Sequence, residues 1–368
     1  MSATDAPALP PTQSIRGAAA RVEWERRTNS FTELAQLVRG EGLNSRTRGF
    51  YLALLGGLVV ALGAAFTGMV VLGDTWYQLL IAAALGVIFT QFAFLGHEAS
   101  HRQVFTSGPA NDRLGRVVAT LFVGMSYAWW MTKHTRHHGN PNQIGKDPDI
   151  APGWVAWTED DAAVATGFTG WLNRRQGWLF FPMMTLLGLD LHQASIRRLF
   201  RRGKLQGRTQ ELVLMSVRFA VYLTAVFWLL PLGMAFAFLG VQLAVFGLYM
   251  GLSFAPNHVG MPMVPHGVKL DFLDKQVMTS RNVSGGWWAT VLMGGLNYQI
   301  EHHLFPSMPR PHLHRARQLV RKHCRTYDVP YVENNLAEAL AIVVRYVNDV
   351  GLAARHFNCP AAASMGRL

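Results

Sequence analysis

Cysteine is almost absent: 368 residues contain two, Cys324 and Cys359. That excludes a disulfide framework, and their separation lacks the paired spacing of a zinc or redox site. A reducing compartment is expected for whatever lies outside a bilayer. Charge is also scarce, at 15% of residues against roughly a quarter in soluble proteins, so much of the surface is expected never to meet water. Acid is scarcer than base: 22 Asp and Glu against 34 Lys and Arg leave a net charge of +12. A basic balance suits nucleic acid, an anionic membrane face or an acidic partner. Half the chain is hydrophobic, which favours the membrane, and no nucleic-acid-binding motif is present. Met1 to Pro11 shows no basic stretch leading into an apolar one, so no cleaved signal peptide is expected.

Long apolar runs are what the chain has instead. Four reach the roughly 20 residues that cross about 30 Å of hydrocarbon: 50–72, 76–96, 212–231 and 233–254. Only the third holds a charge, Arg218, near enough to its end to snorkel into the headgroups. Gly73-Asp74-Thr75 joins the first two runs and Leu232 the last two, so each pair forms a tight hairpin that returns to its starting side. Every Lys and Arg except Arg218 lies in the N-terminal arm, in 97–211 or after 254. The positive-inside rule makes those segments cytoplasmic, and the expected location is the cell (inner) membrane with both termini inside. Val117–Met131, Trp178–Leu191 and Trp287–Leu296 are too short or too interrupted to cross. They read as interfacial or core helices against the cytoplasmic leaflet. The expected fold is all-α and integral to the membrane: four spans in two hairpins under a cytoplasmic helical cap. The arm, 1–29, is expected to be disordered, 30–355 to form one membrane domain and 356–368 a tail. Within that domain Ser30-Phe-Thr-Glu33 is a capping box opening a helix with Phe31, Leu34, Leu37 and Val38 on one side, which would rest on the membrane. Two more helices, about 312–325 and 334–350, flank the turn-like Asp328-Val-Pro330.

Fourteen histidines are unevenly spread, and eight lie at or just beyond the cytoplasmic span ends. His97-Glu-Ala-Ser-His101 follows the second span, and residues four apart share a helix face. His134-Thr-Arg-His137-His138 and Gln299-Ile-Glu-His302-His303 each aim three side chains at one spot. His258, after Asn257, ends the fourth span. Imidazole suits iron, zinc, copper and nickel rather than Mg²⁺ or Ca²⁺. One zinc takes four ligands, whereas eight imidazoles without thiolate or obligatory carboxylate suit two redox-active irons. Such a shared site requires that neither Val117–Met131 nor Trp287–Leu296 crosses, since a crossing would separate the ligands by about 30 Å.

In their settings the three clusters resemble the membrane fatty-acid desaturase superfamily. Asn297-Tyr-Gln-Ile-Glu-His-His-Leu-Phe-Pro306, His97-Glu-Ala-Ser-His-Arg-Gln and Lys133-His-Thr-Arg-His-His-Gly-Asn-Pro-Asn are similar to the branch of front-end and actinobacterial acyl desaturases. The resemblance, over about 30–330, implies an O₂-dependent desaturase that places a cis double bond in a long fatty acyl chain. It implies two non-haem iron ions, held by His97, His101, His134, His137, His138, His258, His302 and His303. Gln299 stands where many relatives have a ninth His. With no cytochrome b5 domain before the first span, electrons would come from a separate donor, a ferredoxin or similar with its reductase. Around the ligands, Asn257, Glu98, Asp147 and Glu301, with Asn140, Asn142 and Asp149, are candidates for orienting imidazoles, and His192 is a further candidate near the site. His266, His312, His314, His323 and His356 read as interfacial or surface residues, and Trp129, Trp130, Trp287 and Trp288 as interface aromatics. Arg197, Arg198, Arg201, Arg202, Lys204 and Arg208 read as a contact with anionic membrane lipid, ahead of a dock for an acidic electron donor. A hydroxylase is the neighbouring alternative, because the same centre can return oxygen to the substrate. A histidine-rich metal transporter or sensor would need polar ligands within the spans, and these spans hold none.

Overall fold

The computed structural model describes residues 30–356, with side chains to 353. The expected arm and tail, Cys359 and the side chain of His356 lie outside the described residues. Helix α1 covers 30–40. The first hairpin is α2 (Arg48–Leu72) with α3 (Gln78–Ser100), and the second is α9 (Arg208–Leu229) with α10 (Leu232–His258). Between them run α4 (Gly108–Arg116), a π-helical turn at Val117–Val123, α5 (Tyr127–Gly139), α6 (Glu159–Val164), α7 (Gly167–Asn173) and α8 (Gln176–Phe200). After α10 come α11 (Phe272–Met278), strand β1 (Asn282–Ser284), α12 (Gly286–Leu292), α13 (Gln299–Leu304), α14 (Arg310–Thr326), strand β2 (Glu333–Asn335) and α15 (Leu336–His356).

The four hairpin helices have 22 to 27 residues and are long and apolar enough to cross a membrane. Their outward residues, such as Val71 and Trp228, stay 77% and 84% exposed, as a lipid-facing surface requires. Inside, Leu85, Phe89, Phe92, Phe238, Phe246 and Met250 form one apolar core. α8 crosses α10 at a pair of glycines, Gly188 and Gly247, whose backbones meet so closely that neither position has room for a Cβ. A second core lies in the cap, where Leu273, Val277, Ile300, Leu304, Met308, Leu313 and Val320 pack together.

Several expectations are corrected here. The helix opened by Ser30 does not keep its apolar side for lipid: Leu34 and Val38 are fully buried in the cap core, where each contributes about 2 kcal/mol by leaving water. Val117–Met131 is not one helix. Its first half is wound as a π-helix, and Gly124, at φ +93°, breaks it before α5 starts at an N-cap Ser126 that accepts from Trp129 N. Arg218 does not snorkel. Its guanidinium lies 4.3 and 4.1 Å from the ring centres of Phe89 and Tyr222, where cation–π attraction replaces water. The all-α fold is borne out, and within the cap the one described ladder is short: β1 and β2 pair in parallel, Asn282 against Glu333. That ladder ties the segment leading into α13 to the start of α15.

Candidate metal centre

Each histidine arrives on a rigid element. α3 continues one turn beyond its apolar stretch, carrying His97 on the helix and His101 as its C-cap. α5 presents His134, His137 and His138, α10 ends in His258, and α13 presents Gln299, His302 and His303. These four elements converge, so the eight predicted imidazoles lie together in two groups. His97, His101, His134, His138 and His302 form the first, and His137, His258 and His303 the second. Within each group the candidate ligand atoms lie no more than 4.8 Å apart. The rings of His138 and His303 stack at 4.2 Å between the groups.

The nitrogens face each other in a way that hydrogen bonding alone does not satisfy. His134 Nε2 lies 2.9, 2.8 and 3.0 Å from the Nε2 atoms of His97, His101 and His138, although one imidazole nitrogen has a single lone pair or proton to offer. Nε2 of His302 and Nε2 of His303 are buried with no hydrogen-bond partner. Adjacent ligands of one ion, at about 2.1 Å and a right angle, stand roughly 3 Å apart. The donor set therefore fits a transition-metal cation.

Protonation agrees with that fit. Burial, reinforced by neighbouring imidazoles, holds His134, His138, His302 and His303 well below the ordinary histidine range and brings His101 down to about 3, so these rings are neutral donors. His137 behaves differently. Burial opposes its charge, but Asp149 and Asp147 outweigh burial and raise its pKa.

Other groups fix the ring orientations. His137 Nδ1 donates to both oxygens of Asp147 at 3.0 Å, with Asp149 at 3.3 Å. His258 Nδ1 donates to the Thr279 carbonyl at 2.9 Å, and His303 Nδ1 to Gln276 Oε1 at 2.8 Å. Each bond sets the tautomer that leaves Nε2 facing inward. Gln276 also donates to the His138 carbonyl at 2.9 Å. Neither Gln276 nor Thr279 belongs to a motif, and nothing in their sequence setting marks them.

The remaining predicted residues divide. Gln299 lies at the centre, its Nε2 2.8 Å from His258 Nε2, and its oxygen accepts from Asn257 Nδ2 at 3.1 Å. Asn142 donates to the His258 carbonyl at 3.0 Å, while Asn140 bonds the Arg136 carbonyl of its own helix. Glu98 does not orient an imidazole: its carboxylate pairs with Arg310 at 2.7 Å. Glu301 is fully buried and accepts from Asn282 at 2.7 Å and Tyr331 at 2.9 Å. Burial, against those two bonds, pushes its pKa up to about 7. His192 lies outside both groups, between the Gly188 and Val123 carbonyls. His323 is buried rather than on the surface. Trp287 is 79% exposed, as an interface aromatic should be, but Trp130 instead stacks on His134 at 4.8 Å and 20°. Trp130 also helps to line an apolar cavity that borders His97, with Phe94, Val123, Met125, Met250 and Phe254.

A family model described as fatty acid desaturase matches residues 74–335. A Delta(8)-fatty-acid desaturase of Helianthus annuus is 26% identical over 317 residues, 83% of this chain and 69% of the relative. An acyl-lipid (8-3)-desaturase of Rebecca salina is 31% identical over 298 residues, 77% and 67% of the two chains. A Delta(6)-fatty-acid desaturase of Caenorhabditis elegans is 26% identical over 348 residues, 90% and 76%.

Proposed function

Because this chain belongs to the fatty acid desaturase family, a membrane oxidoreductase acting on fatty acyl chains, we propose that it is an O₂-dependent di-iron desaturase. In this reading His97, His101, His134, His138 and His302 hold one iron, and His137, His258 and His303 hold the other. Gln299 faces the second from beside His258. When bound, reduced iron would activate O₂, the oxidant, to take hydrogen from an unactivated methylene, which no side chain can do. The protein's part is positioning. The cavity beside His97 is apolar, with Trp130 and Phe254 on its walls, a lining that suits methylenes better than water. Asp147, Thr279 and Gln276 keep His137, His258 and His303 aimed inward. Electrons come from a separate donor, a ferredoxin or similar protein with its reductase. The histidine end faces the cytoplasm, on the side of the basic residues.

The observation that carries this reading is the convergence of eight imidazoles from four elements into two groups, with Nε2 of His302 and of His303 buried and without a hydrogen-bond partner. The test is expression in a host lacking unsaturated fatty acids of its own, followed by fatty-acid profiling. A new cis double bond is expected, lost in His138→Ala and His303→Ala although both variants insert, and purified protein should carry about two iron atoms, one per histidine group. Hydroxylated lipid without a new double bond, or stoichiometric zinc with no iron requirement, would overturn it.

A further inference from the structure

Glu98 and Arg310 are charged residues drawn out of water beside the imidazoles, and neither touches them. Glu98 is 2% exposed and Arg310 5%. Isolated burial of either charge is strongly unfavourable, so the pair is retained only if its partners are complete. They are. Arg310 Nε donates to Glu98 Oε1 and Nη2 to Oε2, both at 2.7 Å, the two-pronged geometry that only arginine provides.

Around this pair the stretch from Phe305 to Arg310 is bolted to three other parts of the chain. Arg310 N donates to the Tyr51 hydroxyl at 3.0 Å. That hydroxyl donates onward to Gln103 Oε1 at 2.8 Å. Gln103 Nε2 donates to the Pro306 carbonyl at 2.8 Å, and Arg46 donates to the Ser307 carbonyl at 3.1 Å. Glu98 sits one residue after His97 on α3, and the strap begins two residues after His303. The network therefore joins the end of the first hairpin to the segment that carries the third histidine cluster. Among the described residues no hydrogen bond links α3 to α13 directly; the imidazoles of His97 and His101 meet that of His302 only as ring contacts, each at 4.8 Å.

We propose that Arg310 is a positioning residue of the metal centre: through Glu98 and Tyr51 it fixes the register between His97 and His101 on one side and His302 and His303 on the other. Glu98 is accordingly a strut and not a ligand. This rests on the metal-centre reading above and deepens it.

The test uses full-length protein in detergent, with Fe²⁺ alone as the probe. Affinity is read by chelator competition, and the iron environment by its Mössbauer spectrum. Unmodified protein is the control for the underlying reading, because if it takes up no iron the metal centre itself is wrong, whatever the variants do. Given uptake, Glu98→Gln and Arg310→Gln, each folded by circular dichroism, are expected to bind Fe²⁺ roughly 10–100-fold more weakly with an altered spectrum. The double variant Glu98→Gln with Arg310→Gln leaves no unpaired charge and keeps two amides able to bond each other, so it should regain much of the loss. Wild-type affinity and spectrum in the single variants, or losses that simply add in the double, would overturn the proposal. If either single variant does not accumulate as folded protein, Tyr51→Phe decides in its place: a wild-type spectrum and affinity refute the register role, and an altered spectrum with weaker binding upholds it.

Discussion

Cys324 shows how a single side chain reports its surroundings. It is fully buried in the cap core, and burial, with the nearby Glu301 and Asp274 carboxylates, pushes its thiol up to about 12. Since thiolate is the reactive form, only about one thiol in ten thousand is ionised at pH 8, which slows reaction even before access is considered. A Cys359→Ser variant should therefore resist maleimide while folded and label fully once denatured; rapid labelling of folded protein would contradict the burial. The linkage has a definite sign. A raised thiol pKa contributes stability below the unfolded value, and that contribution is lost as pH climbs from about 9 toward 12, because the unfolded chain releases its proton first. At this scale seven of the eight converging imidazoles are legible from spacing, since i, i+3 and i, i+4 repeats are local properties that any helix converts into one face, while His258 is legible only from its place at the end of a span. The residues that aim them are not. Gln276 reaches His303 across 27 positions and Arg310 reaches Glu98 across 212, distances over which no periodicity operates. His192 misled for the opposite reason: an imidazole at the end of an apolar run reads as a ligand, yet two backbone carbonyls claim it.

Elements follow from composition where lipid is the solvent and from contact where protein is. The hairpin helices matched their apolar runs to within a few residues because hydrocarbon forces every backbone group into a helix. The same rule could not foresee that α8 would run unbroken through Pro182, nor that Gly124 would divide a uniformly apolar stretch. Both depend on what packs alongside. The α8–α10 crossing gives the sharpest test. A Cβ at Gly247 would collide with Gly188 N and lie 2.6 Å from the Met184 carbonyl oxygen. These are backbone atoms that cannot step aside. Gly247→Ala should destabilise by about 1–3 kcal/mol, the usual cost of overpacking, and lower the thermal midpoint. Gly57→Ala, on α2 with nothing within 4 Å of the added carbon, should be neutral or slightly stabilising through helix propensity. Thermal unfolding of both variants in one detergent measures the contrast, and equal midpoints would remove the close crossing from the account.

For the molecule as a whole, charge and chemistry must agree on a side. Both hairpins begin and end at the cap, and the short connections around Asp74 and Pro231 lie at the far ends of the helices. Among the described Lys and Arg, Arg48 and Arg208 open their spans at the cap end and only Arg218 lies deeper within one, its charge taken up by Phe89 and Tyr222 rather than by headgroups. The energetic bias is thus concentrated at one end, where basic residues near an anionic leaflet contribute about 1 kcal/mol each, and the histidine groups sit at that same end. An orientation with the basic end outside would forfeit that attraction and set the metal centre away from cytoplasmic reductants. The orientation can be read directly with single cysteines in a Cys324→Ser, Cys359→Ser background. Asp74→Cys should react with a membrane-impermeant maleimide in intact cells. Lys204→Cys, exposed beyond the end of α8, should react only after the membrane is opened. The opposite pattern would reverse the orientation and, with it, the expectation that a cytoplasmic donor supplies the electrons.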